Sequence, residues 1–336
     1  MRHEFSVLYH RGCNDGIAAA WAARERLGSG TTYRPYQYGD AVPDGLVGKH
    51  LILVDLSMPA DLIKELLRSG VLSVLVIDHH KTAIKHLAAA KAVPCHTFDQ
   101  YLALLDAGNL VHIKVFKSFS LNHCGAVLTW AFFNNHDWQL PEELWRPLMP
   151  KVLTYMEDYD LWKRKLPYVD EVNAWLINGN QKMENVAKII LPNGDIHPEV
   201  LNVGIALINY DRKIAKSVIR EYTREVILDD GKRMALINAP HHLRNMIGDM
   251  LAEQYDMVAC FTVRREKVIY SLRSGGRYDA TVFSEAYGGG GHADAAAFTT
   301  LTMGLPAIAT QMPFHKLTLR RRLRNAWTAL TARSSL

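Results

Sequence analysis

The sequence predicts an α/β protein, with a parallel-sheet N-terminal domain and a smaller α/β C-terminal substrate-binding domain joined by a long helix. Three observations predict it. Short apolar runs alternate with helical patterns through the first half, as in βαβ units. A stretch of helical periodicity without internal proline follows Pro198, and beyond Asp229-Asp230-Gly231 the strand and helix pattern restarts. At 336 residues the chain has length for roughly two domains. The expected boundaries are a catalytic domain over 1–197, a connecting helix over 198–228, a second domain over 229–314 and a basic helix or tail over 315–336.

The elements follow in order. An apolar strand from Phe5 to Tyr9 runs into His10, and a helix begins at Asn14-Asp15 and stops at Gly28. The strand Leu51–Val54 runs into Asp55, and its helix has Ser57 as N-cap, Pro59 at an early position and Gly70 after its end. The strand Val71–Ile77 runs into Asp78-His79-His80. Helix then covers Ala126–Phe133, starting near Asn122-His-Cys-Gly125, with more helix after Pro141. Leu201, Ile205, Ile208, Ile214, Val218 and Tyr222 recur at helical spacing and predict the connecting helix. The second domain should contain strand Met234–Asn238, helix Leu243–Tyr255 and strands Met257–Val263 and Val268–Arg273.

Composition narrows the function class. With 49% apolar and 22% charged residues the chain is neither disordered nor fibrous. No apolar run reaches the roughly 20 residues of a membrane span, and no basic segment leads into an apolar one at the N-terminus. A cytoplasmic protein without a membrane partner is expected. Cys13, Cys95, Cys124 and Cys260 lack the close pairs of a zinc site or the density of a disulfide scaffold. The net charge of +5 is a mild bias, partly from His315-Lys-Leu-Thr-Leu-Arg-Arg-Arg-Leu-Arg324. That stretch reads as a solvated helix face, so charge does not establish nucleic-acid binding. Oligomeric state is open, and a homodimer is compatible with the sequence.

The strand ends carry the chemistry. Carboxyl ends of neighbouring parallel strands share one crevice, so His10, Asp55 and Asp78-His79-His80 can converge there. Taken singly, Asp15 reads as a helix N-cap, Asp55 as a turn residue and the acidic run Met156-Glu-Asp158-Tyr-Asp160 as an exposed helix end. Together they are a ligand set. Crowded carboxylates raise each other's pKa unless cations offset the repulsion, and two divalent ions bridged by one carboxylate would do so.

In the second half, Tyr287-Gly-Gly-Gly-Gly291-His292 could cradle phosphate oxygens with backbone amides, or be a tight turn. It lacks the Lys-Ser/Thr ending of a P-loop, which disfavours an ATPase. Arg273, ending a strand ahead of Ser274, can grip phosphate bidentately or form an edge-strand ion pair.

This succession resembles the DHH phosphoesterase family. The naming motif stands as Asp78-His79-His80, preceded by Asp55. His10-Arg-Gly-Cys-Asn-Asp15-Gly looks like the His-x-x-Cys-x-Asp-Gly variant of the oligoribonuclease B (nanoRNase) branch, and Glu157-Asp158-Tyr-Asp160-Leu-Trp162 is similar to that branch's fourth motif. Leu272-Arg273-Ser274, Asp279 and the glycine–histidine loop resemble the family's C-terminal associated domain. The resemblance spans about His10 to Phe298.

It implies two divalent ions, usually Mn2+ with Mg2+ or Co2+ as alternatives, held by His10, Asp15, Asp55, His79 and Asp158, with Asp55 bridging. Between Asp158 and Asp160, Asp158 is preferred. His80 would face the scissile phosphate, with Asp78 orienting the histidine pair. Arg273, Ser274, Gly289, Gly290, Gly291 and His292 would bind substrate. An earlier first-motif aspartate common in relatives is replaced by Cys13 or Asn14. The implied activity is hydrolysis of short RNA or dinucleotides to mononucleotides by a water activated between the two metals. Rival readings are a signalling-dinucleotide phosphodiesterase, a 3′,5′-bisphosphonucleotide phosphatase, or a nucleotide-sensing module without turnover.

Overall fold

The computed structural model describes residues 3–301 apart from 38, 108–113, 180–181, 229 and 265. The expected basic tail over 315–336, and the end of the second domain after 301, lie outside the described residues. The chain forms two compact units, Met1–Asn209 and Tyr210–Leu336.

The first unit is built on a six-stranded sheet of β1 (Phe5–His10), β2 (Thr32–Tyr36), β3 (His50–Val54), β4 (Ser73–Asp78), β5 (Val93–Pro94) and β6 (Val115–Phe119). All neighbours pair in parallel, in the order β2-β1-β3-β4-β6-β5. Its helices are α1 (Asn14–Leu27), α2 (Ala60–Arg68), α3 (Ala83–Ala89), α4 (Phe98–Asp106), α5 (Gly125–Phe133), α6 (Lys151–Asp160), α7 (Val169–Asn178) and α8 (Met183–Val186).

Strand alternation divides the core between the two faces of the sheet. Val7, Ile52, Val54, Leu75 and Ile77 pack with α1, α4, α5, α6 and α7. Leu8, Leu51, Leu53, Val74 and Val76 pack with α2 and α3. Covered on both faces, β3 and β4 are buried throughout, which is why they read as unbroken apolar runs. Helix α5 is buried on every side, matching its nearly polar-free sequence.

Strands β2, β5 and β6 lie beyond the three expected. Edge strand β2 carries Arg34 and Pro35, which hide it from an apolar-run search. Ser57 does not cap α2; Pro59 occupies that position.

Register levels the strand ends. Tyr9 pairs with Val54 and Val54 with Ile77, so His10, Asp55 and Asp78 leave adjacent strands at one height.

A long helix, α9 (Pro198–Tyr222), continues from the first unit into the second. It is shorter than the expected 198–228, because Thr223–Ile227 forms β7 instead. The β-branched Thr223, Val226 and Ile227 favour a strand, and Gly231 at φ 83° closes a hairpin to β8 (Arg233–Asn238). The second sheet adds β9 (Met257–Arg264), β10 (Lys267–Arg273), β11 (Gly290–Gly291) and β12 (Ala295–Leu301), in the order β11-β12-β10-β9-β8-β7. Only β8 and β9 pair in parallel, across α10 (Arg244–Leu251), and α11 (Ala280–Glu285) precedes the glycine loop. Helix α10 ends four residues before the expected Tyr255, where the amides of Gln254 and Tyr255 turn back to the Leu251 carbonyl. Among the described residues no helix is long and apolar enough to cross a membrane.

Candidate metal centre

The levelled strand ends of the first unit bring side chains from four segments together. His79 Nε2 lies 3.1 Å from Asp55 Oδ1, 3.4 Å from Asp160 Oδ2 and 3.6 Å from Asp15 Oδ2. On the other side of Asp55, Oδ2 stands 3.3 Å from His10 Nδ1 without the alignment of a hydrogen bond. His10 Nδ1, Asp55 Oδ2 and Asp160 Oδ2 are all buried without a hydrogen-bond partner. Buried polar atoms are rarely left so.

Each carboxylate is placed by backbone. Asp55 follows β3 with its amide donating to Ile77, and then takes φ 54°, a left-handed conformation uncommon outside glycine. Asp15 does more than begin α1. Its Oδ2 and Oδ1 accept from the amides of Gly125 and Ala126 at 2.6 and 2.9 Å, capping the start of α5. Gly125 is required there, since a β-carbon would lie 2.5 Å from Asp55 Cβ.

Asp78 serves the histidine pair. Its Oδ1 accepts from the amides of His79 and His80 at 2.7 and 3.2 Å, and lies 2.7 Å from His80 Nδ1.

The structure places Asp158 away from His79. Its carboxylate accepts from the amides of Lys165 at 2.9 and 3.1 Å and Leu166 at 3.1 Å, so it organises the loop after α6. Asp160 is the acidic residue brought to His79. Leu153, Met156 and Asp160 share a stripe of α6 at i, i+3 and i+7, but Glu157 lies on it too, so helix phase alone does not single out Asp160. Glu157 anchors the helix, with Arg146 Nη1, Lys163 Nζ and His123 Nδ1 each 3.0 Å from its carboxylate. Burial would raise this carboxyl, but His123 and Arg146 bring it down to about 2.

Cys13 and Asn14 are also placed differently. Asn14 Nδ2 turns to the carbonyl of Asn173 at 3.1 Å and to its side-chain oxygen. Cys13 instead joins His10 and Asp55, with one donor atom from each of the three within 4.8 Å of the others.

Electrostatics describe a crowded cluster short of positive charge. Burial, then the charges of Asp55 and Asp160, push the Asp15 carboxyl well above the usual range. Asp160 is raised by burial, with Asp55 adding to it. Burial opposes protonation of His79, but Asp160, Asp55 and Asp15 outweigh it and raise this imidazole to about 10. Asp55 would be raised by burial, yet the imidazoles of His10 and His79 hold it well below the ordinary range. Imidazole and carboxylate donors suit a first-row divalent cation, which would replace the protons that the cluster otherwise retains. The donor set fits such an ion.

In the second unit Arg273 is placed at the end of β10, with Nε and Nη2 on Asn245 Oδ1 at 3.2 and 2.5 Å. Sequence reasoning missed its neighbours. His241 is lowered to about 3 by burial and then by the charges of Arg244, Arg264 and Arg273, which marks a local excess of positive charge. The signal was Pro240-His-His-Leu-Arg244 directly after a strand.

Ser274 and the glycine loop carry internal hydrogen bonds. The Ser274 hydroxyl donates to the Ala293 carbonyl at 3.3 Å and Asp294 Oδ1 at 3.1 Å, in a residue only 2% exposed. The amides of Gly289 and His292 donate to the carbonyls of Ser284 and Ala295, so they do not form an open cradle. Close strand packing explains the glycines instead: a β-carbon on Gly289 would meet the Ala297 carbonyl oxygen at 2.1 Å, while Gly290 and Gly291 pair with β12.

No family model matches the chain. Its sequence is similar to an uncharacterized protein of Acanthamoeba polyphaga mimivirus, 24% identical over 93% of this chain and 70% of that protein. Among solved structures it is similar to a DHH-domain protein described as a member of a family of ribosomal proteins, with TM-score 0.56 and 14% identity over 92% of this chain and 85% of the other. An exopolyphosphatase-related protein from Bacteroides fragilis aligns with TM-score 0.47 and 11% identity over 92% and 89% of the two chains. The first structural likeness establishes that the chain has the fold of a DHH-domain protein.

Proposed function

We propose that this protein is a metal-dependent phosphodiesterase that hydrolyses short RNA oligonucleotides or dinucleotides to mononucleotides. One observation carries the metal-dependent part: three carboxylates surround His79 Nε2 within 3.6 Å, and unpartnered buried oxygens of Asp55 and Asp160 are among them. The DHH-domain fold and the motif resemblance support phosphoester chemistry at such a site.

Two divalent cations are proposed, Mn2+ first among them, with Mg2+ or Co2+ as substitutes. Asp15, His79 and Asp160 would hold one, His10 would hold the other, and Asp55, with an oxygen toward each side, would be shared. When bound, the ions supply Lewis-acid stabilisation of phosphoryl oxygens and lower the pKa of an attacking water. The protein's own groups do the rest. Asp78 fixes His80 through Nδ1, leaving the ring to present an Nε2 proton to the oxygen on which charge develops. In the second unit Arg273 would hold a substrate phosphate, aided, as the resemblance implies, by His292, with the positive charge of Arg244 nearby.

The test is a substrate panel. Metal-stripped protein reloaded with Mn2+ or with Co2+ is incubated with labelled RNA of two to five nucleotides, cyclic dinucleotides and a 3′,5′-bisphosphonucleotide. Release of mononucleotides from the short RNA is expected. Exclusive turnover of either other substrate class would replace the proposed substrate, and nucleotide binding without any turnover would make the protein a sensor.

A further inference from the structure

One more side chain reaches the cluster than the resemblance assigns. Cys13 precedes α1 in extended backbone, at φ −118° and ψ 134°, and its thiol is free. Its Sγ, a ring nitrogen of His10 and a carboxylate oxygen of Asp55 all lie within 4.8 Å of one another. Asn14 is tied to Asn173, so the short loop after β1 directs His10 and Cys13 to one side of Asp55. Two atoms there ask for a ligand independently of the thiol: Asp55 Oδ2, in a residue 1% exposed, and His10 Nδ1 are both buried without a hydrogen-bond partner.

The cluster therefore divides into two unlike donor sets. Asp15, His79 and Asp160 form an oxygen and nitrogen group, and His10, Cys13 and Asp55 form a nitrogen, sulfur and oxygen group. Asp55 borders both, with Oδ1 3.1 Å from His79 Nε2 and Oδ2 3.3 Å from His10 Nδ1.

We propose that Cys13 is a metal ligand, and that it makes the His10–Cys13–Asp55 position selective for a thiophilic, borderline cation such as Zn2+, Co2+ or Fe2+ over Mn2+ and Mg2+. The inference rests on the two-cation reading above and deepens it. Thiolate selects for softer metals, whereas an all-oxygen and imidazole set suits Mn2+. Three protein ligands around a borderline ion also leave a coordination position for an exchangeable group, as catalytic rather than structural sites do. The cluster would then be a mixed-metal centre, and reconstitution with Mn2+ alone would underfill one position.

Cobalt distinguishes the outcomes, because a thiolate bound to Co2+ gives a near-ultraviolet charge-transfer band that imidazole and carboxylate do not. The full-length protein is stripped with a chelator, kept reduced with a phosphine and titrated with Co2+ alone, with bound metal counted by equilibrium dialysis. The wild-type protein should bind two Co2+ and develop the band. C13S should lose the band and bind one Co2+ fewer. C13D should regain the second ion without the band, and shift the competition between Mn2+ and Zn2+ toward Mn2+ by roughly 10-fold to 100-fold. Two Co2+ bound by the wild-type protein without a band would overturn the ligand role of Cys13 while leaving the two-cation reading intact, whether or not the variants fold. Persistence of the band in C13S would overturn it equally. No bound Co2+ at all would overturn the two-cation reading and this proposal together.

Discussion

Asp55 Oδ1 and His79 Nε2 meet at 3.1 Å across 24 residues of sequence, because parallel pairing of β3 with β4 sets their strand ends side by side. The same carboxylate turns its other oxygen toward His10, 3.3 Å away. A single aspartate thus joins the two halves of the cluster. Asp55→Asn removes the shared charge with little change in volume. It is expected to lose bound divalent cation and to lower phosphodiesterase turnover by roughly 100-fold or more. Elemental analysis after gel filtration checks it, and retention of both ions would show that Asp55 is not shared.

Asp158 and Asp160 should separate cleanly on substitution. Asp160→Asn is expected to reduce metal content and leave unfolding in urea nearly unchanged. Asp158→Asn strips charge from an acceptor of the Lys165 and Leu166 amides. It should cost about 1.5–3 kcal/mol of stability, the range for hydrogen bonds to a charged group, with metal stoichiometry kept. The opposite pattern would return the ligand role to Asp158.

Much of this site was readable from residues alone, for a physical reason. Buried parallel strands are unbroken apolar runs, so β1, β3 and β4 announce themselves, and side chains at their carboxyl ends converge by the geometry of the sheet. The approach of Asp160 and Cys13 to the cluster, rather than of Asp158 and Asn14, was less legible because it depends on the partners that take up the other residue. Asn14 is claimed by Asn173 on α7, a contact 159 residues distant that no local pattern encodes. The glycine loop is ambiguous for the converse reason. Gly289 is required by the closeness of β12, and glycine demanded by packing looks the same in sequence as glycine demanded by phosphate.

Asp78 is expected to act through His80. Asp78→Asn keeps an oxygen for the amides of His79 and His80 but loses the charge that faces His80 Nδ1 at 2.7 Å. Turnover should fall by roughly 10-fold to 100-fold, as for other groups that orient a functional histidine, and the alkaline limb of the pH profile should move to lower pH with it. Burial opposes protonation of His80, and Asp78 outweighs it to raise the imidazole; without that charge the protonated ring persists only to lower pH. An unaltered pH profile with reduced turnover would point to disturbed packing instead.

Gly125→Ala probes the approach of α5 to Asp55. The new methyl group would stand 2.5 Å from Asp55 Cβ and 2.8 Å from its Oδ1. Overpacking of this kind costs about 1–3 kcal/mol, and Asp55 should be displaced with loss of metal. Unchanged metal content and an unchanged urea midpoint would show that the strand end yields without effect.

At the opposite end of the sheet, His50 should make the protein acid-sensitive independently of metal. Its Nδ1 lies 2.8 Å from Ser73 Oγ, which lies 2.8 Å from the Tyr101 hydroxyl, and its Nε2 lies 3.2 Å from His3 Nδ1. Burial, then the charge of His3, lowers His50 to about 4. An unfolded histidine titrates near about 6.5, so below that pH the unfolded chain takes up a proton that the native ring refuses. The contribution of His50 to stability is therefore complete above about pH 6.5 and declines as pH falls toward about 4, after which both states are protonated. Urea unfolding of the metal-stripped protein at about pH 7.5 and about pH 5 should show this loss. His50→Asn, which cannot titrate, should be less stable at the higher pH but lose less on acidification. An equal acid-induced loss in both proteins would assign the sensitivity to another group.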